Sequence, residues 1–419
     1  MAARPHMVIV HRWLADYAHY ERYVDHSRYA VSYVTTEVGA PSLPASAAEV
    51  AIVDATDDLP SVADAVKRLA ENQGRPEAII ALKEDDLLVG AQLRQQWGCP
   101  GPDIDDVIPF RDKLVMAGLV SRAGLAVPAH APVRHPHDVV EFGRDHGWPV
   151  VVKPCAGSSS AGVIKVDGPS ECAGLEFAEG EPHLVQAFDG RQIYHVDGYF
   201  DGTTMGPLRA SRYVNNCLGF RTGDTLGSVE EDDPDLMRSI TAFSTGVMRA
   251  LSRKPVVFHL ELFVDRVTGS CAFLEVGARV GGAEIPYLWR EVHGYDLMES
   301  AFRLLAGQRA LPWPRSIDAV APAPGTDVAG WLLAPAPTQR PCRITHATSM
   351  VGRVPGPYAE ALLRPGEILP AADAYYEHVG GRFRFRGRTS REVEDAIVAT
   401  SRDFHVSGEL AIQRHRQPA

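Results

Sequence analysis

Apolar and polar positions over the first hundred residues alternate between two rhythms. Short runs with strand character (Met7 to Val10, Val31 to Thr35, Val50 to Val53, Ala78 to Leu82) are interleaved with helical spacing at Leu59 to Glu71 and Asp86 to Gln96. This rhythm predicts βαβ units and a parallel, Rossmann-like sheet. No Gly-x-Gly-x-x-Gly turn accompanies it, so no dinucleotide is expected there. The turn-rich stretch Gly98 to Pro102 marks the exit from this region. A helix is then predicted from about Ile108 to Ala123, carrying Lys113 and stopped by Gly124. Pro149 to Pro154 reads as a buried strand ending in Lys153-Pro154, and Val163 to Val166 as another. His183 to Gly190 reads as a strand running out into a linker. Ile193 to Gly198 sets His195 and Asp197 on one face of a strand, where a structural pair is the expectation. Arg209 to Gly227 lacks periodicity and reads as a loop, and Asp233 to Leu251 as a helix.

Two further apolar runs each deliver one acidic residue. Leu260 to Phe263 carries Glu261, Phe273 to Gly277 carries Glu275, and Asp265 to Ser270 between them is a turn signal. Side chains alternate across a strand, so the two carboxylates can be aimed from adjacent strands at one point. Such a pair suits a hard divalent cation, which bridges carboxylates to nucleotide phosphates. Two glutamates facing water from an ordinary hairpin fit the pattern equally well when it is taken alone. Arg279 follows Glu275 by four residues, and Gly281-Gly282 permits close backbone approach.

The segment after Lys153 bears on that choice. Cys155 to Gly162 is a loop of small residues able to turn amides and hydroxyls toward phosphate oxygens. It is not a Walker loop, because no Gly-Lys dipeptide occurs in the chain. Only six of the 42 basic residues are lysine, so Lys153 stands out as a compact point charge in an arginine-dominated protein. In the loop region, Arg209, Arg212 or Arg221 could reach phosphates from a mobile cover, and a merely solvated loop fits the same composition equally well.

Composition narrows the class. At 419 residues, 45% hydrophobic and 23% charged, the chain has room for two or three cored domains. A net charge of −11 argues against nucleic acid or an anionic membrane as the main partner. Six scattered cysteines without a Cys-x-x-Cys pair read as reduced thiols of a cytoplasmic protein. No signal-peptide core, membrane-length apolar run or internal repeat stands out. A proline-rich boundary near Leu311 introduces a tail of short strands, including Arg382 to Arg386, and a helix from Ser390 to Phe404.

Taken in order, Asp112-Lys113, Lys153-Pro154 with its Ser/Gly loop, Glu261, and Glu275-x-Gly-x-Arg279-x-Gly-Gly resemble the ATP-grasp superfamily of carboxylate–amine ligases. The L-amino-acid (dipeptide-forming) branch is the nearest match, and the resemblance covers residues from about 1 to 400. It implies an α/β and α+β ATP-grasp fold: a Rossmann-like N-terminal domain (1–105), a two-lobed ATP-grasp domain (106–310) with a hinge near 183–190, and a small C-terminal subdomain (311–419). It further implies ATP and magnesium, with manganese as a substitute. Lys113, Lys153, Ser158, Ser159, Ser160, Gln186 and Phe188 would bind ATP, and Glu261 and Glu275 the metal. Arg279 would be catalytic and, with Gly281 and Gly282, bind substrate. Most of the superfamily has Asn where this chain has Gly277, which leaves one protein ligand fewer for metal. The implied partners are small-molecule carboxylate and amine substrates, and a homodimer is compatible with this reading. A ligase of the same fold acting on another metabolite, and a non-catalytic ATP-binding module, are the competing readings. An oxidoreductase on the N-terminal sheet is disfavoured by the missing glycine fingerprint.

Overall fold

A computed structural model describes residues 4–13, 17–157, 161–177, 180–215, 219–313, 326–370 and 379–411. The chain divides into two compact units. The first comprises Met1–Leu208, Arg238–Gly281 and Tyr295–Val320; the second comprises Arg209–Met237, Gly282–Gly294 and Ala321–Ala419.

The first unit opens with the parallel sheet that the alternation predicts. His6–His11 lies between Ala30–Thr35 and Pro76–Ala81, and Glu49–Ile52 takes the edge beyond Ala30–Thr35. Helices Leu59–Gln73 and Leu87–Trp97 bury Val62, Val66, Leu69 and Leu93 against Val8, Val10, Val34 and Ile79. The Asp58 side chain starts the first helix by accepting the Ser61 N–H at 3.1 Å, and Gly74 leaves it at φ 91°.

An antiparallel sheet follows, ordered His130–Val133, His183–Ala187, Val150–Pro154, Ile164–Val166. Helix Pro136–His146 packs Val139 and Phe142 against Val150, Val152 and Val185. Strand alternation therefore turns Val151 and Lys153 to the opposite face, where Gln186 stands in register with Val151. The third group is antiparallel again, with Gln192–Phe200, Val256–Val264 and Cys271–Gly277 side by side.

In the second unit the strands Leu226–Glu230, Val328–Pro335, Val379–Gly387 and Ala359–Leu362 lie in that order. Helix Ser390–Asp403 covers them through Val393 and Ile397. A small sheet of Ile368–Leu369, Cys342–Ala347 and Val406–Leu410 completes it.

Two expectations change. The helix predicted from Ile108 is split into a 3-10 turn, Ile108–Phe110, and a helix, Lys113–Arg122. The break is Asp112, which is extended and accepts the N–H groups of Leu114 and Val115 at 2.9 and 3.0 Å, so that Lys113 becomes the first helical residue. The loop expected from Arg209 is strand as far as Tyr213, because Met205–Tyr213 pairs with Leu226–Glu230 through Ser211, Arg212 and Tyr213. Cys99, Cys155, Cys172, Cys271 and Cys342 are free thiols. Among the described residues no helix is long and apolar enough to cross a membrane.

Candidate functional site

Glu261 and Glu275 stand directly opposite each other on the hairpin formed by Val256–Val264 and Cys271–Gly277. Their apolar neighbours Leu260, Leu262, Phe273 and Val276 are buried, which fixes the register by the cost of exposing them. Leu274 is an unpaired extra residue just before Glu275, a bulge of the sort that re-aims a side chain. Like charges opposed across strands are destabilising, so this pair asks for positive charge. Two lysines supply it. The Lys113 ammonium lies 3.2 Å from Glu275 Oε2 and donates to the Gly157 carbonyl at 2.6 Å. Burial works against the Glu275 charge, but Lys113 and Lys153 overcome it and hold its carboxyl below the ordinary range. Burial in turn pushes Lys153 down to about 8, against the pull of Glu275 and Glu261.

The loop leaving Lys153-Pro154 is tied to the helix start. The Lys113 N–H donates to the Cys155 carbonyl at 2.9 Å, and Arg111 Nη2 to the Ala156 carbonyl at 2.7 Å. The other Arg111 nitrogen, Nη1, donates to Glu84 Oε1 at 2.9 Å. Glu84 also accepts from Arg279 Nε, while Arg279 Nη1 donates to the Val280 carbonyl at 2.9 Å. Burial disfavours the Glu84 charge, yet Arg279 and Arg111 outweigh it and keep the carboxyl low. Arg279 is thus clamped from both sides.

On the strand beside the hairpin, Asp197 is enclosed by donors. It receives His195 Nδ1 at 2.7 Å, His259 Nδ1 at 2.9 Å and the Gly281 N–H at 3.1 Å. Although burial opposes it, the charge of His259 and both histidine hydrogen bonds hold the Asp197 carboxyl far below its usual value. The structural pair expected for His195 and Asp197 is present, enlarged by His259. The Gly281 amide is thereby occupied, and at Gly282 a Cβ would meet nothing within 4 Å.

Other expected residues are more dispersed. Gln186 is buried, with its backbone between His130 and Val151. The Ala187 and Phe188 N–H groups donate to Ala129 and Pro149 at 2.8 and 3.3 Å. Phe188 is 45% exposed beneath the Lys165 ammonium, which lies 5.3 Å from the ring centroid, so core packing is not its role. Ser158, Ser159 and Ser160 lie outside the described residues, as does the Arg221 side chain. Arg212 is buried and paired with Glu394 by two hydrogen bonds of 2.8 and 2.6 Å, and Arg209 is buried beside Glu230. Neither arginine fits the expected mobile phosphate cover.

No family model matches the chain. A search of curated proteins finds the L-arginine-specific L-amino acid ligase of Bacillus subtilis, 24% identical over 65% of this chain and 68% of that protein. It also finds the D-alanine–D-alanine ligase of Geobacter sulfurreducens, 30% identical over 41% of this chain and 55% of that protein. Among solved structures, the L-amino acid ligase from Bacillus licheniformis superposes with a TM-score of 0.73 over 98% of this chain and all of that one, at 16% identity. The fold is that of the ATP-grasp enzymes.

Within this fold the donor set suits a cation. Two carboxylates in register, on stiff neighbouring strands, match a small hard dication. Sequence reading missed Glu84, Arg111 and His259 in this cluster. The signal for His259 was available: it precedes Glu261 by two residues and so shares its strand face. Glu84 offered none, because its partner Arg279 is 195 positions away.

Proposed function

We propose that the chain is an ATP-dependent ligase that joins a carboxylate, an amino acid, to the amine of a second amino acid through an acyl phosphate, releasing ADP and phosphate. The observation that carries this reading is the opposed pair Glu261 and Glu275, faced by the Lys113 ammonium and by buried Lys153, with Arg279 four residues further on. Identity to known ligases supports it.

Glu261 and Glu275 would hold magnesium, or manganese in its place, which when bound neutralises charge on the phosphates. Lys113 and Lys153 would take phosphate oxygens, Lys153 from the end of its strand as a compact point charge in place of a planar guanidinium. A substrate carboxylate oxygen attacks the γ-phosphorus and ADP leaves with the electron pair. Arg279 would orient that carboxylate and then donate to the oxyanion formed when the amine attacks the acyl carbon. Its clamp by Glu84 and Val280 pre-sets the guanidinium, and one preorganised donor of this sort typically contributes about 10²–10³ in rate. Phosphate departs and the amide remains, with no covalent enzyme intermediate.

The test is ADP release measured against a panel of amino acids, singly and in pairs, with mass spectrometry of the product. A dipeptide mass appearing with ADP supports the reading. ADP release only with non-amino-acid carboxylates would move the chain to another ligase chemistry, and tight ATP binding without turnover on any pair would leave a binding module.

A further inference from the structure

Two rows of side chains cross the three strands Gln192–Phe200, Val256–Val264 and Cys271–Gly277. In one row His195, Glu261 and Glu275 are in register; in the next, Asp197, His259 and Gly277. Gly277 brings no ligand atom to its row, and a Cβ there would meet Arg279 and Glu84 at 3.3 and 3.4 Å, so His259 and Asp197 are the side chains of that row that can offer one.

The His259 ring is aimed. Nδ1 faces Asp197 Oδ1 at 2.9 Å, and that carboxylate is held in turn by His195 Nδ1 at 2.7 Å and the Gly281 N–H at 3.1 Å. Nδ1 of His259 is the nitrogen turned to that carboxylate, so Nε2 is the one left to meet a cation, which displaces any proton held there. Nε2 lies 3.9 Å from Glu261 Oε1, beyond hydrogen-bonding distance. A carboxylate on one imidazole nitrogen, with the other nitrogen turned toward a carboxylate cluster, is how proteins orient a metal-bound histidine. Two ligand bonds of about 2.1 Å at a right angle separate their donor atoms by about 3 Å, so closing the gap asks for movement of about an ångström.

We propose that His259 is a third protein ligand of the cation held by Glu261 and Glu275, with Asp197 as its positioning residue. The inference rests on the ligase reading for the presence of that cation and goes beyond it in the ligand set. An imidazole in an otherwise oxygen site favours later first-row dications over magnesium, so manganese should bind more tightly than magnesium for a reason built into the strand face.

The experiment uses the full chain loaded with ADP and Mn2+. Mn2+ binding is titrated from the free-ion electron paramagnetic resonance signal, and pulsed spectra of the bound ion are examined for nitrogen coupling. The expected result is bound Mn2+ with a directly coordinated imidazole nitrogen, lost in His259→Gln and kept in His195→Gln. Asp197→Asn should keep the coupling but weaken Mn2+ binding about 10–100-fold, as loss of an orienting carboxylate does. Bound Mn2+ without nitrogen coupling in the unaltered protein, or coupling that persists in His259→Gln, overturns the His259 assignment and leaves the carboxylate pair standing. No bound Mn2+ at all overturns both the assignment and the cation site beneath it.

Discussion

At Lys153, burial and neighbouring charge pull in opposite directions, and burial wins by enough to bring the ammonium to about 8. A lysine lowered in this way is charged below that value and neutral above it. A phosphate favours the charged form, so nucleotide binding should take up a proton as pH rises past 8, and the Kd for ATP should grow by up to about ten-fold per pH unit. Calorimetry between pH 7 and 9.5, in buffers of different ionisation enthalpy, reads both effects; a Kd flat over that range, with no proton uptake, would remove Lys153 from the phosphates. Glu84 makes a second residue-scale case. Its hydrogen bonds go to Arg279 and Arg111, and it reaches Lys113 and Glu275 only through charge, so Glu84→Gln should lower kcat about ten-fold or more and change nucleotide affinity far less. An equal rise in nucleotide Kd would place Glu84 on the ATP side instead. These two residues also mark how far a sequence can be read. Lys153 was legible because it ends an apolar run in a chain poor in lysine. Glu84 sits in a polar turn and acquires meaning only from a partner nearly two hundred positions later.

Elements were legible where periodicity and capping agreed. The βαβ rhythm, the glutamate hairpin and the helix near Ser390 all rest on apolar spacing that tertiary packing then satisfies. Spacing failed where one side chain overrides it. Apolar positions run on from Ile108 to Ala123, yet Asp112 stops the chain and restarts it as a capped helix. The strand at Arg209–Tyr213 was hidden because its arginines are buried by pairing, which no polarity scale anticipates. Asp112 allows a test at this scale. Asp112→Ala removes the acceptor for two helix N–H groups and should cost about 1 kcal/mol of stability. The same change frees the first helical residue, Lys113, from its set position, so turnover should fall by more than the stability loss alone explains. Denaturant unfolding and kcat measured together decide the point; full activity in a destabilised variant would show that Lys113 needs no cap to find its place.

For the molecule as a whole, the consequence is linkage between ligand and folding. A ligand that binds only the native state at a concentration of 100 Kd stabilises it by about 2.7 kcal/mol, which for a chain of this length corresponds to a rise in Tm of about 3 °C. The residues argued here fall into two groups by that measure. Glu275→Gln and Lys153→Ala remove partners of the cation and the phosphates, so each should keep a native-like Tm without ligand and lose most of the shift with magnesium and a non-hydrolysable ATP analogue. Arg279→Ala belongs to the other group. Its guanidinium is clamped by Glu84 and the Val280 carbonyl, while the lysines and the carboxylate pair keep their own contacts without it. That variant should therefore keep the ligand-induced shift yet fail to release ADP when amino acids are added, because what it loses is stabilisation of the reacting carboxylate and oxyanion rather than of bound nucleotide. Thermal melts with and without the analogue, set beside ADP release for the same three variants, separate binding from activation. If Arg279→Ala lost the thermal shift along with turnover, the arginine would belong to the nucleotide site and the division of labour drawn here would fail.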